Sequence, residues 1–379
     1  MSDVLAAARE LQPWLDDRAA ACDGARRLSD DVVAALVEAG MFRLTQPPRY
    51  GGLGLAPSAV WPVIAEIGRG SAAAAWIAGL GAANVLMVGK FPARAQDEVF
   101  GAGRPAIVPL LTGGVGRDIV AEPADGGVTL SGKWRYASGI DVATWVGLLA
   151  PLASANGAEP HILLVPAEAF EIDQESWRVL GMQGTGSKDI ALSPTFVPAH
   201  RQMTWAALQV GGTHRDCPND EPVYELPLTP VFAASVQAPT LGVARAAVDE
   251  YLNIARDRDG APTQILAASA DATLTMALQA LVADADLLER RMGAGRPLSQ
   301  EERAAMRMRF AVASRQVLET ANRLFAAVGG SLLPADSRIG RLMRDLHAMS
   351  SHFLLQPEPI GQAQGRALLG LGLPPDTRV

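Results

Sequence analysis

Two histidines five residues apart, His347 and His352 in RDLHAMSSHF, stand in a segment with helical character and no glutamate nearby. Five residues on a helix correspond to roughly 140° of rotation, so the two rings cannot form the i, i+4 pair of a helical metal site; no metal is expected. A neutral imidazole near physiological pH can instead accept a proton from a substrate or donate one, without the fixed charge of a carboxylate. Two further stretches carry polar groups at suggestive places. WRYASGID (134–141) brings Ser138 and Gly139 to the end of a strand, and GMQGTGSKD (181–189) is a glycine-rich loop holding Thr185, Gly186 and Ser187. Such a loop suits either an ordinary turn between strands or the backbone and hydroxyl contacts of a planar or anionic ligand.

Three regions must position these residues. Residues 1–104 read as helical: Ser29 or Asp30 can cap LSDDVVAALVEAGMF, which Gly40 ends, and TQPPRYGGLGL is a loop punctuated by Pro and Gly. The uncharged run AAAAWIAGLGAANVLMVG (72–89) is rich in alanine and glycine, and reads as a helix buried on all sides rather than a membrane span. Its Trp76, with Trp145 and Trp205, reads as core or interface. Residues 105–215 are short strand-like runs bounded by turn residues, with a hairpin at the Gly126-Gly127 pair. Residues 216–379 return to helical periodicity in four long amphipathic segments, a four-helix bundle. The expected fold class is α+β, mainly α. On the last segment Arg341 and Asp345 have the i, i+4 spacing of an ion pair.

Composition narrows the function. A chain of 379 residues with 49% apolar and 19% charged residues, and a net charge of −7, is that of a soluble globular protein with no nucleic-acid or anionic-membrane partner. Two cysteines, Cys22 and Cys217, form no metal or redox spacing, and the N-terminal residues lack the basic and apolar regions of an export signal, so the cytoplasm is expected. No Walker A, G-x-S-x-G or H-E-x-x-H pattern occurs, and GLGAAN (79–84) ends in Asn within a helical run, where a dinucleotide fingerprint needs Gly or Ala after a strand.

Taken in order, the P-x-x-Y-G-G turn, W-R-Y-A-S-G, G-T-G-S-K-D and R-D-L-H-A-x-x-x-H resemble the acyl-CoA dehydrogenase superfamily along nearly the whole chain, and within it the two-component flavin-dependent monooxygenases. The resemblance implies an N-terminal helical domain, a central β-barrel-like domain and a C-terminal four-helix bundle, assembled as a homotetramer. It implies reduced FMN or FAD and O2 as co-substrates and a separate NAD(P)H-dependent flavin reductase. A C4a-(hydro)peroxyflavin would insert one oxygen atom into a small aromatic, polyketide or heteroatom-containing molecule. By the same match Trp134, Ser138 and Gly139 border the isoalloxazine, Thr185, Gly186 and Ser187 contact the flavin, and Arg256 or Arg258 meets its phosphates. His352 is the catalytic ring, with Ser138 and His347 as further catalytic candidates. The dehydrogenase alternative, on an acyl thioester, needs a glutamate base that RDLHAMSSHFLLQPEPI and SVQAPTLGVARAAV do not supply, since Glu358 lies beyond the matching point. An oligomeric scaffold without catalysis is the alternative from another class.

Overall fold

The computed structural model describes all residues except 1, 102, 104, 113–115, 155–156, 333, 375–376 and 378–379. The expected boundary at 104 therefore lies outside the described residues.

Among the described residues the first region forms five α-helices, α1 (Ser2–Ala25), α2 (Asp30–Glu38), α3 (Pro57–Gly70), α4 (Ala72–Val88) and α5 (Ala93–Phe100). The uncharged run is α4, capped by the Ser71 hydroxyl, and every residue of it except Leu80 is buried. It lies inside protein because it has no polar side to show water. The bundle contributes α7 (Leu228–Ile254), α8 (Ala261–Gly293), α9 (Gln300–Val328) and α10 (Arg338–Ser350), after a short α6 (Trp205–Val210) and before α11 (Pro357–Leu368). Helix α7 threads the core against α3, α4 and α9. Its Gly242 is required there, since a Cβ would stand 2.1 Å from the Ala65 carbonyl oxygen of α3.

Between the helical regions the described residues form two four-stranded sheets. One has the order β1 (Leu110–Leu111), β4 (Trp145–Ser154), β5 (Gly157–Pro166), β8 (Gln202–Thr204); the other β2 (Gly116–Ala124), β3 (Gly127–Ala137), β7 (Lys188–Pro198), β6 (Phe170–Asp173). Their shared core contains Leu130, Trp134, Val146, Leu148, Leu163, Val165, Ile190 and Leu192. The β2–β3 hairpin turns one residue earlier than the sequence suggested: Ala124 pairs with Gly127, and Asp125 and Gly126 (φ +74°) form the turn.

Candidate functional site

Four remote segments meet where the end of β3, the 181–187 loop, α4 and the end of α10 come together. Strand β3 ends irregularly. Its register with β7 shifts between Trp134 and Ala137, and Tyr136 takes a left-handed conformation (φ +67°). The bulge re-aims the following side chains, so that Ser138 leaves the sheet toward α4. Gly139 (φ +75°) then donates its N–H to the Thr185 carbonyl at 2.8 Å, joining the strand end to the loop.

The loop is built around the 3-10 turn Gln183–Thr185, flanked by Met182 (φ +58°) and Gly186 (φ +52°). Its backbone is held from several sides. Asp345 of α10 accepts the Met182 N–H at 2.6 Å, Asp23 of α1 accepts the Gly184 N–H at 2.8 Å, and the Trp177 indole donates to the Met182 and Gln183 carbonyls. Next to it, the buried Lys188 ammonium lies 2.7 Å from both Asp141 carboxylate oxygens and 2.5 Å from the Gln174 carbonyl. Gly181 permits the close approach of α10, for a Cβ there would meet the Arg344 carbonyl oxygen at 2.2 Å.

Side chains on these elements form one hydrogen-bonded wire. Trp76 Nε1 of α4 donates to Ser138 Oγ at 3.3 Å, Ser138 and Ser187 hydroxyls are 2.8 Å apart, Ser187 and Thr185 hydroxyls 2.7 Å, and Thr185 donates to the Met182 carbonyl at 2.7 Å. A hydroxyl has one proton, so the direction is forced from the far end backward. Thr185 gives its proton to Met182, hence accepts from Ser187, which in turn accepts from Ser138. All three hydroxyl protons are committed, and the half-buried Ser138 offers an acceptor lone pair to whatever stands before it.

His352 closes the cluster. Its ring lies edge-on to Trp76 (centroids 5.5 Å apart, planes at 73°) and 4.8 Å from Phe353. Its Nδ1 accepts the Leu354 N–H at 3.3 Å, which places the proton of the neutral ring on Nε2. Burial pushes its pKa down to about 4, so the ring is neutral at physiological pH.

Ser138, Gly139, Thr185, Gly186, Ser187 and His352 are thus brought together, and four expected residues are not. Trp134 is 1% exposed and packs inside the β core against Phe170, away from the hydroxyl cluster. The bulge gives the outward place to Tyr136, which is 47% exposed and edge-on to Trp177. His347 points outward and bonds Asn322 of α9 at 2.9 Å. Arg256 and Arg258 sit exposed beyond the end of α7, on the Asn253 side chain and the Ala327 carbonyl. Helix α7 passes under the site at Ser235, whose carbonyl faces Gly79, and Arg256 follows about 30 Å further along. Within one chain they are remote from the cluster. The expected Arg341–Asp345 pair is also replaced: Arg341 reaches Asp16 of α1 at 3.3 Å, which leaves Asp345 for the loop. Sequence reasoning missed Trp76, and the only signal for it was an aromatic among alanines one turn into α4.

The chain matches the acyl-CoA dehydrogenase N-terminal domain over residues 6–100 and the acyl-CoA dehydrogenase C-terminal domain over residues 234–357. It is 30% identical to an FADH(2)-dependent resorcinol hydroxylase, oxygenase component, of Rhizobium sp., covering 92% of this chain and 89% of that one. It is 28% identical to the flavin-dependent monooxygenase, oxygenase subunit HsaA, of Mycobacterium tuberculosis, over 99% and 97% of the two chains. The crystal structure of the M. tuberculosis HsaA monooxygenase superposes with a TM-score of 0.93 at 29% identity, covering 100% of this chain and 99% of that one.

Proposed function

The chain belongs to the acyl-CoA dehydrogenase superfamily, in its flavin-dependent monooxygenase branch, and on that premise we propose how its residues divide the work. It is the oxygenase component of a flavin-dependent monooxygenase, supplied with reduced flavin by a separate reductase. The dehydrogenase alternative lacks its base in space as well as in sequence. Glu358 is exposed and pairs with Arg315 of α9, and α7 carries no acid where it passes the site.

The wire is the observation that carries the reading, because its acceptors fit reduced flavin. Reduction adds an N–H to the isoalloxazine edge, and Ser138 and Ser187, with their own protons committed, present acceptors for it. Trp76, Tyr136, Trp177 and Phe353 supply aromatic surface for a flat ring, with Phe353 61% exposed. Reduced flavin, when bound, supplies the electrons that activate dioxygen for transfer of one oxygen atom to substrate.

His352 acts as a neutral donor. Its Nδ1 is occupied by the Leu354 amide and its Nε2 carries the proton, so it offers an N–H to a reacting oxygen and does not serve as a general base from this tautomer. Trp76 orients it edge-on while fixing Ser138, so one indole aligns the acceptor and donor sides of the site. The apolar walls keep bulk water from the reacting oxygen.

The finer assignment is FAD as the flavin and a hydroxylated aromatic as substrate, supported by the resorcinol hydroxylase relative and the aromatic walls. The assembly is a cytoplasmic homotetramer. One side of the apolar α8 is open, with Ile265 64% and Met276 62% exposed, and Arg256 and Arg258, remote from their own cluster, would meet the flavin phosphates of a neighbouring subunit. The test mixes the protein with anaerobically reduced FAD, isotope-labelled dioxygen and a panel of phenols, and analyses products by mass spectrometry. Labelled oxygen in one product is the expected result. Electron transfer from an acyl thioester to bound FAD, with no labelled product, would overturn the reading.

A further inference from the structure

Two carboxylates, Asp345 buried and Asp23 partly buried, hold the loop from two helices. Asp345 comes from α10 and Asp23 from α1, 322 residues apart in sequence, yet they accept N–H groups only two residues apart, from Met182 and Gly184. Asp345 is 4% exposed. The turn between these amides delivers Thr185 and Ser187 to the wire. We propose that Asp23 and Asp345 form a clamp that positions the 181–187 loop for flavin, and that the clamp is competent when the pair holds one proton. This rests on the reading of the hydroxyl cluster as the flavin site.

Two like charges close behind one turn, one buried and one partly buried, repel, and relief by separation would draw the Met182 and Gly184 amides apart. One proton on either carboxyl removes the repulsion without losing either contact, because a protonated carboxyl keeps an oxygen that accepts an N–H. The groups facing the pair are few. Arg341 and Arg344 of α10 act on both carboxylates, but Arg341 is engaged with Asp16 of α1. Just past the end of α1 the neighbouring Arg26 and Arg27 are turned to Glu175 and Asp30. Burial and the nearby Asp23 raise Asp345 to about 7, and burial raises Asp23 as well.

The sign follows from the folded chain binding this proton more tightly than the unfolded chain. The stabilisation is full at acid pH below the ordinary carboxylate range and is lost as pH rises through about 7. Flavin affinity should fall along the same upper limb, because that is where the second charge appears behind the turn. Asp23 and Asp345 touch no reacting atom; they are positioning residues.

Asp345→Asn keeps an acceptor oxygen and cannot titrate, while Asp345→Ala removes both. The dissociation constant of anaerobically reduced FAD is measured from pH 6 to 8.5 for wild type and both variants, with the thermal midpoint of the flavin-free proteins over the same range. Relative to Asp345→Asn, in which the flavin's own ionisation cancels, wild type should weaken by up to tenfold per pH unit above about 7. Its midpoint should already lie below that of Asp345→Asn at pH 6, fall further behind up to about pH 7 and keep a constant gap from there to pH 8.5. Asp345→Ala should bind weakly at every pH. Parallel affinity profiles for wild type and Asp345→Asn, or an Asn variant as weak as the Ala variant throughout, would overturn the clamp. Failure of wild type to bind FAD at any pH would instead overturn the site reading, while the midpoints would still report the pair.

Discussion

Removing the central hydroxyl of the wire should reverse the polarity of its accessible end. In Ser187→Ala, Ser138 loses the acceptor of its proton, although Trp76 still donates to it. Its hydroxyl proton then has no acceptor among these side chains and turns toward the ligand. A group that accepted the N–H of reduced flavin becomes a donor that suits the bare ring nitrogen of oxidised flavin. Exchanging a matched for a mismatched pair at a partly buried position costs about 1.4 kcal/mol, roughly one net hydrogen bond with part of the penalty for opposed donors. That is about tenfold in the ratio of affinities, and about 30 mV for a two-electron couple. The assay measures binding of reduced FAD under anaerobic conditions and of oxidised FAD in air, for wild type and variant. The preference for reduced flavin should drop about tenfold, with little change in unfolding by urea. An unchanged ratio would show that the wire does not present an acceptor to the flavin, whatever happens to overall affinity.

Other residues give independent tests. The low pKa of His352 means that the folded protein resists protonation: stability is full above the ordinary value of 6.5 and declines as pH falls toward 4, by about 2 kcal/mol at pH 5. Urea unfolding at pH 7 and 5 should show this loss as the difference between wild type and His352→Asn, because the opposite pH dependence of Asp345 is common to both, and activity should reveal no histidine ionisation between about pH 5.5 and 8. Gly181→Ala places a methyl group against the Arg344 carbonyl, so the loop must leave α10. Circular dichroism should show the helices retained, while affinity for reduced FAD falls more than about tenfold. Lys188→Met strands the buried Asp141 carboxylate and should cost about 3 kcal/mol or more in urea unfolding, whereas Lys188→Met with Asp141→Leu should recover most of it.

Helix periodicity and strand-length runs made the three regions legible, because the pattern of burial is written locally along each element. The four bundle segments fall on α7 to α10. The hydroxyls of Ser138, Thr185 and Ser187 were legible as loop residues that a resemblance could assign. The place of Trp134 in the β core was not legible, because a bulge and one left-handed residue, Tyr136, decide which aromatic leaves the sheet, and alternation cannot show either. Trp76 was hidden because an indole that packs and an indole that also donates look the same in an apolar run. Asp345 was assigned to Arg341 by local spacing, but Asp16, more than 300 residues away, takes that arginine. Long-range competition for a partner has no local signature.

The wire ends on a backbone carbonyl. Met182 can accept the Thr185 proton's bond but has no proton of its own to pass on, so no sequence of hydroxyl rotations can carry charge from Ser138 through this path to solvent. The row of hydroxyls is therefore an insulator, a fixed line of aligned dipoles. An oxygenase holding a reactive oxygen next to Ser138 gains from that construction: polarity is available at the site without a side-chain conduit through which a stray proton could arrive and discharge the oxidant before the substrate does.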